Sequence, residues 1–234
     1  MVIDYKRLLT GFTLVFFIFT TYIFEIELIL ILTIVLVSFL ELNKSNLINL
    51  NKLFFFYFLY FLIIFLDNSL IDHLLILVFF ILCPLTLYLS KFKLIFFVIS
   101  VITSLYFFIQ LSLDNRTLFY LCIFISFFND TVAYIFGNLF KGPKIIPSIS
   151  PNKTWSGTIL SFISSIMILS FFFFDIYLSI ILSLFLFLGD IYFSFFKRFL
   201  KIKDFSAILP GHGGFFDRYD SIFFLPIIIS IFYL

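Results

Sequence analysis

Residues Gly189 to Ser221 hold the groups of this chain best suited to chemistry. They are Asp190, Lys197, Arg198, Lys201, Lys203, Asp204, His212, Asp217, Arg218 and Asp220, with the run Pro210-Gly-His-Gly-Gly214 among them. The surrounding chain is 63% hydrophobic and carries 42 phenylalanines, so a gathering of carboxylates, cations and glycines runs against its composition. The glycines permit sharp turns and close approach of backbone to a ligand. Separated carboxylates with cations between them suit a magnesium-bound polyphosphate. Mg²⁺ takes one or two carboxylates plus phosphate oxygens, while Lys and Arg neutralise the remaining charge. An aspartate at a helix start is commonly a cap, which accounts for Asp217 or Asp220 but not for the whole array. A phosphate monoester is already ionised near neutral pH. His212 is therefore read as a phosphate hydrogen-bond donor or a turn residue, not as a base.

Two upstream stretches add to this set. In Asn129-Asp-Thr-Val-Ala-Tyr-Ile-Phe-Gly137, the residues Asp130, Ala133, Tyr134 and Gly137 share one face at helical spacing. Asp130 lies inside an apolar span, where a carboxylate is costly and should face a cavity, a cation or a polar ligand; escape to water at the interface is the competing reading. From Lys141 to Gly157 a short loop carries Lys141, Lys144 and Lys153, three prolines, and the hydroxyls of Ser150, Thr154 and Ser156 just before the next helix. Free N–H groups at a helix start favour anions, so a phosphate site is one reading. A basic loop held to anionic lipid headgroups is the other.

The elements that must position these groups are membrane helices. Mean hydropathy is +1.23, and only 12% of residues are charged, about half the share of an ordinary soluble domain. Polar punctuation cuts the chain into spans at 8–24, 28–41, 53–66, 74–90, 94–113, 117–140, 157–174, 176–190 and 221–234. The expected fold is all-α: a polytopic helix bundle of about nine transmembrane helices with no soluble domain. Numbered alternately, the connections on the N-terminal side receive every basic residue except Arg116. The excess of Lys and Arg makes that side cytoplasmic, with the N-terminus inside and the C-terminus outside. The run 8–24 lacks a small-residue cleavage site before Glu25 and is read as a retained span. Cys83 and Cys122 fall in apolar runs and read as small buried hydrophobes. His73, beside Asp72 in a loop, reads as a surface histidine. Seven of the eight glycines lie between Gly137 and Gly214, which assigns residues 1–116 to packing and anchoring and 117–234 to chemistry.

The stretch Ser194 to Asp220, S-F-F-K-R-F-L-K-I-K-D-F-S-A-I-L-P-G-H-G-G-F-F-D-R-Y-D, resembles the signature of phosphatidate cytidylyltransferases (CDP-diacylglycerol synthases). Upstream, D-T-V-A-Y-I-F-G and S-P-N-K-T-W-S-G are similar to that family's other landmarks, in the same order. The resemblance implies a nucleotidyltransferase in the cytoplasmic membrane, with its active site on the cytoplasmic face. It would join CTP to phosphatidic acid, giving CDP-diacylglycerol and pyrophosphate with Mg²⁺, with room for a second cation. It also implies roles. Asp190 and Asp217 would be the metal carboxylates and, with Lys197 and Arg198, the catalytic set. Lys203 and Arg218 would hold phosphates, with Ser150, Lys153 and Thr154 contributing from the upstream loop. Ser194, Asp204, His212, Gly213, Gly214, Asp220 and Asp130 complete the substrate-binding set. Partners are then CTP, phosphatidic acid and membrane lipid, with a homodimer allowed and no nucleic acid. The sequence departs from the family pattern at Phe193, usually acidic, at Ser156, usually Glu, and mildly at Tyr219. The alternatives are a CTP-dependent kinase of polyprenol or phytol-type lipids, a transporter using Asp130 and Asp190 as ion ligands, and an inactive relative.

Overall fold

The computed structural model describes residues 5–45, 49–64, 69–88, 92–147, 149–150, 153–172, 175–208 and 213–233. The protein is an all-helical membrane bundle. Its helices are α1 (Tyr5–Ile23), α2 (Glu27–Lys44), α3 (Leu50–Ile64), α4 (Ser69–Tyr88), α5 (Lys93–Asp114), α6 (Arg116–Phe140), α7 (Trp155–Phe171), α8 (Ile176–Phe199), the single turn α9 (Phe216–Tyr219) and α10 (Leu225–Tyr233). Four of them, α4, α5, α6 and α8, are long and apolar enough to cross a membrane by length and composition. Apart from the start of α4, the segmentation read from hydropathy follows α1 to α7 within a few residues, because apolar runs bounded by polar residues have no alternative to internal hydrogen bonding in lipid.

Three boundaries differ from the sequence reading. α4 begins at Ser69 instead of 74, so Asp72 and His73, expected in a loop, lie in its first two turns. The span ending at Asp190 continues to Phe199, since Ile-Tyr-Phe-Ser-Phe-Phe offers no breaker and Asp190 is neutralised by a lysine. α8 stops in a Schellman motif: Ile202 N–H donates to Lys197 O at 2.9 Å and Lys201 N–H to Arg198 O at 3.1 Å. Lys201 takes the left-handed position at φ 57 that glycine usually fills. The last helix starts at Leu225, not at residue 221. Pro226, having no N–H, fits only its first turn, and residues 220–224 form turns instead.

The chain forms two compact units. One comprises Met1–Arg116, Asp204–Asp217 and Ile229–Leu234. Within it α5 is the most covered helix, with Phe97, Val98, Val101, Phe107 and Phe108 almost wholly buried. Hydroxyl and carboxylate pairs tie its helices in a medium that penalises unpaired polar groups. Tyr57 donates to Ser38 at 2.9 Å, Tyr60 pairs with Thr103 at 2.5 Å, and Tyr106 donates to Asp72 at 2.6 Å. Arg116 closes the α1–α2 corner on Glu25 at 2.8 Å and on Glu27. Cys83 is buried.

The other unit comprises Thr117–Lys203 and Arg218–Ile228. Here α6 and α7 approach through small residues: a Cβ on Gly157 would strike Ala133 O and come within 3.1 Å of the Gly137 backbone. Ser165 donates to Asn129 Oδ1 across the same pair of helices at 3.2 Å. α8 and the 220–224 turn meet at Gly189, where a Cβ would fall on the Asp220 carbonyl oxygen. An aromatic cluster seals that meeting: Tyr192 stacks on Phe223 with centroids 5.3 Å apart, and Phe193 packs edge-on against the same ring at 5.1 Å. Cys122 is buried and unpaired in this unit.

Candidate functional site

Separate stretches of the second unit carry the site. α6 brings Asp130, the loop before α7 brings Lys153, α8 brings Asp190 and Lys197, and the segment after α9 brings Asp220, next to Arg218. The loop is shaped by its own backbone. Lys144 and Thr154 form an antiparallel bridge, Trp155 N–H donates to Pro143 O at 2.9 Å, and Thr154 caps α7 by accepting from Gly157 N–H at 3.3 Å. That fold aims Lys153 at Asp190, with which it forms an ion pair. Lys197 lies 3.7 Å from Asp220, and Arg218 lies 3.9 Å from Asp130. These are not three isolated pairs. Asp130 feels the charges of Asp190, Arg218, Lys153 and Lys197, and Asp220 feels those of Asp190, Lys197, Asp130 and Lys153.

Carboxylates and cations therefore alternate in one partly covered neighbourhood. Asp220 is the most enclosed, with 8% of its side chain exposed. Burial, and then the charge of Asp190, push its carboxyl well above the ordinary carboxylate range, against the pull of Lys197. Its Oδ1 accepts from Ser221 N–H at 2.9 Å. Such a mixed cluster can take a polyphosphate: the cations meet phosphate oxygens while a divalent ion shares the carboxylates. Among the described residues no three His, Cys, Asp or Glu side chains converge into a ready-made metal cage. Mg²⁺ does not need one, since it draws most of its ligands from phosphate and water. Asp190, 19% exposed at the side chain, fits as such a ligand.

The remaining residues expected from the sequence fall elsewhere. Arg198 points away from the cluster: its Nε donates to Ile149 O at 2.9 Å and its Nη1 to Ile202 O at 3.5 Å. Ser194 is buried in α8. Ser150 N–H closes a turn on Ile146 O at 2.9 Å. Lys203 and Asp204 are exposed, and His212 lies outside the described residues. Asp217 belongs to the first unit, where its Oδ2 accepts from Phe205 N–H at 3.0 Å and Gly214 N–H at 2.8 Å. Gly213 sits at φ 82, with room for a Cβ only 2.8 Å from that same oxygen. Phe193 and Ser156, the unusual residues, are both built into the structure. Phe193 is wholly buried in the aromatic cluster, and Ser156 Oγ accepts from Gly142 N–H at 3.3 Å.

The sequence reading passes over Glu41. Its carboxylate is fully buried and accepts from Phe215 N–H at 2.8 Å and Phe216 N–H at 3.2 Å. The rule that singled out Asp130, an ionisable group in an apolar span, applies equally to Glu41.

Comparison with known proteins agrees with the motif. The model of the cytidylyltransferase family matches residues 5–234. The chain belongs to this family. It is similar to the phosphatidate cytidylyltransferase of Rickettsia conorii, 39% identical over 150 residues, or 57% of this chain and 65% of that protein. Its likeness to the phosphatidate cytidylyltransferase of Rickettsia typhi is 37% over 143 residues, covering 54% of this chain and 63% of the relative. For the Staphylococcus haemolyticus protein of the same name it is 46% over 112 residues, 44% of this chain and 43% of the relative. The matched stretch thus spans between 43% and 65% of the length of these curated relatives.

Proposed function

We propose that this protein transfers the cytidylyl group of CTP to phosphatidic acid, releasing pyrophosphate and leaving CDP-diacylglycerol in the membrane. The observation that carries the reading is the cluster of Lys153, Lys197 and Arg218 among Asp130, Asp190 and Asp220. Its place in a cytidylyltransferase chain supplies the nucleotide, and its likeness to phosphatidate cytidylyltransferases supplies the lipid.

In this reading an oxygen of the phosphatidate monoester attacks the α-phosphorus of CTP, and the α–β phosphoanhydride bond breaks with pyrophosphate as leaving group. The nucleophile is already ionised, so no side chain has to remove a proton. Lys153, Lys197 and Arg218 hold phosphate oxygens and offset the charge that gathers on the leaving group. Asp190 would hold Mg²⁺ in the cluster, and Asp217 would be a metal carboxylate by the family motif alone. Bound Mg²⁺ would act as Lewis acid and template on the phosphates. Nucleotide would then compete with the internal ion pairs: triphosphate oxygens would take the place of Asp190 as partner of Lys153, leaving a carboxylate that could hold Mg²⁺. Catalysis is positioning plus charge stabilisation. The distribution of Lys and Arg supports a site facing the cytoplasm, with the acyl chains left in lipid.

The test uses the protein in mild detergent with phosphatidic acid and CTP labelled at the α-phosphorus. Label moving into an organic-soluble CDP-lipid, with pyrophosphate released and only in the presence of Mg²⁺, is the expected outcome. A folded protein that transfers no label beside a working control enzyme would overturn the reading.

A further inference from the structure

Glu41 is the one acidic side chain of α2 that is wholly buried, and such burial is expensive unless hydrogen bonds satisfy it. Its partners come from the later segment 204–217, where the Ser206 side chain hydrogen-bonds to it. Glu41 Oε2 takes two successive backbone N–H groups, those of Phe215 and Phe216, from a segment 174 and 175 residues further along the chain. Those groups open the turn α9, which carries Asp217 and Arg218. A carboxylate accepting from the N–H groups at the start of a helical turn makes charge-assisted bonds, roughly twice as strong as neutral ones. The neighbouring backbone is shaped around it. A Cβ on Gly214 would overlap the Glu41 carboxylate and lie 2.6 Å from Ser206 Oγ. Gly214 N–H donates to Asp217 Oδ2 at 2.8 Å, and Phe205 N–H to the same oxygen at 3.0 Å. Three consecutive N–H groups are thus divided between two carboxylates: Gly214 to Asp217, Phe215 and Phe216 to Glu41. The turn cannot shift without breaking one set or the other.

We propose that Glu41 is a positioning residue, which fixes the Gly213–Asp217 segment and so sets the orientation of the Asp217 carboxylate. It touches no substrate; it acts through the backbone of the turn. This assigns a role in the reaction to the N-terminal half, and explains why the last glycine of the Pro-Gly-His-Gly-Gly run has to be one. The proposal rests on the cytidylyltransferase reading only for its consequence in catalysis, not for the contact itself.

The test compares wild-type protein with Glu41→Ala, Glu41→Gln and Glu41→Asp in lipid nanodiscs, without nucleotide or metal. Hydrogen exchange is followed by mass spectrometry over peptides containing residues 213–219. Loss of hydrogen bonds to a buried charge should speed exchange of Phe215 and Phe216 in Glu41→Ala by about 10-fold or more. Glu41→Gln, which keeps one acceptor oxygen, should fall between that variant and wild type, and α5 and α8 should keep wild-type protection. In the transfer assay Glu41→Ala should lower kcat and raise the Mg²⁺ concentration for half-maximal rate, with partial rescue by Glu41→Gln. Unchanged exchange at Phe215 and Phe216 would overturn the contact. So would uniform loss of protection along the chain in Glu41→Gln as well as Glu41→Ala, which would make Glu41 a fold residue only. Changed exchange with an unchanged Mg²⁺ dependence and kcat would overturn the positioning role. A wild-type protein that transfers no cytidylyl group would instead sink the functional reading while the exchange result still decides the contact.

Discussion

Gly189→Ala is the sharpest perturbation of the site that leaves every charged group in place. The new methyl would sit inside the van der Waals radius of the Asp220 carbonyl oxygen, a backbone atom with no rotamer to escape into. Alanine is favoured over glycine inside a helix by about 1 kcal/mol, so local propensity argues for stabilisation. Overpacking costs about 1–3 kcal/mol, and the rigid partner places this contact at the upper end. The balance is a loss of about 2 kcal/mol, or roughly 30-fold in the unfolding equilibrium. Relief requires the 220–224 turn to back away from α8, which lengthens the Lys197–Asp220 approach of 3.7 Å. A displacement of about 1 Å at a positioning contact costs on the order of 10²-fold in rate. Gly137→Ala is the internal control. Its Cβ would meet Thr154 Oγ1 at 3.0 Å and otherwise only Gly157 Cα at 3.9 Å, and a hydroxyl can give way. Both variants would be measured for cytidylyl transfer and for thermal unfolding in the same detergent. Gly189→Ala with wild-type rate and melting temperature, or a larger effect of Gly137→Ala, would refute the reasoning.

Other substitutions separate the roles of neighbouring residues. Lys197→Ala should lower transfer by at least about 100-fold through lost charge stabilisation, whereas Arg198→Ala, whose guanidinium caps backbone carbonyls, should lower it less than about 10-fold by comparison; parallel rate measurements decide. Phe193→Glu restores the acidic residue usual at this position in the family, but here it would bury a carboxylate against Tyr192 and Phe223. It should destabilise by about 3 kcal/mol or more, read as a lower melting temperature. Arg116→Met should loosen the α1–α2 corner held through Glu25 and Glu27, costing about 1 kcal/mol at a partly exposed site without changing kcat. Asp190→Asn should abolish Mg²⁺-dependent turnover while the protein remains folded, checked by circular dichroism beside the assay.

Much of this was legible in the chain because membrane helices announce themselves. Apolar runs with polar punctuation located α1 to α7 to within a few residues, except that α4 starts early, taking in Asp72 and His73, whose polarity reads as loop. The misplaced end of α8 has a simple cause: Asp190 looks like an interface residue until Lys153, 37 positions earlier, is brought against it. The late start of α10 follows from Pro226, a local signal that hydropathy alone outweighed. Residue types at the site were equally readable, since Asp130, Lys153, Asp190, Lys197, Arg218 and Asp220 stand out from a phenylalanine-rich background. Their pairing was not, because it depends on the bridge between Lys144 and Thr154 and on the absent side chain of Gly189. Adjacent Lys197 and Arg198 read alike in sequence, yet helix geometry sends one to Asp220 and the other to Ile149. Glu41 escaped for a different reason. Its partners are the Ser206 side chain and two backbone N–H groups far along the chain, and no sequence pattern ties them to α2.

The central claim is that the nucleotide's triphosphate lies in the Asp190 cluster and that the cytidylyl group, with the α-phosphorus, passes to the lipid. Parallel reactions with α-labelled and γ-labelled CTP, run for wild type and Asp190→Asn, test it most directly. The account predicts α-label in the lipid and γ-label in pyrophosphate for wild type, with neither transfer in the variant. Label from the γ-position in the lipid would mean a kinase, and undiminished α-transfer by Asp190→Asn would place the chemistry elsewhere.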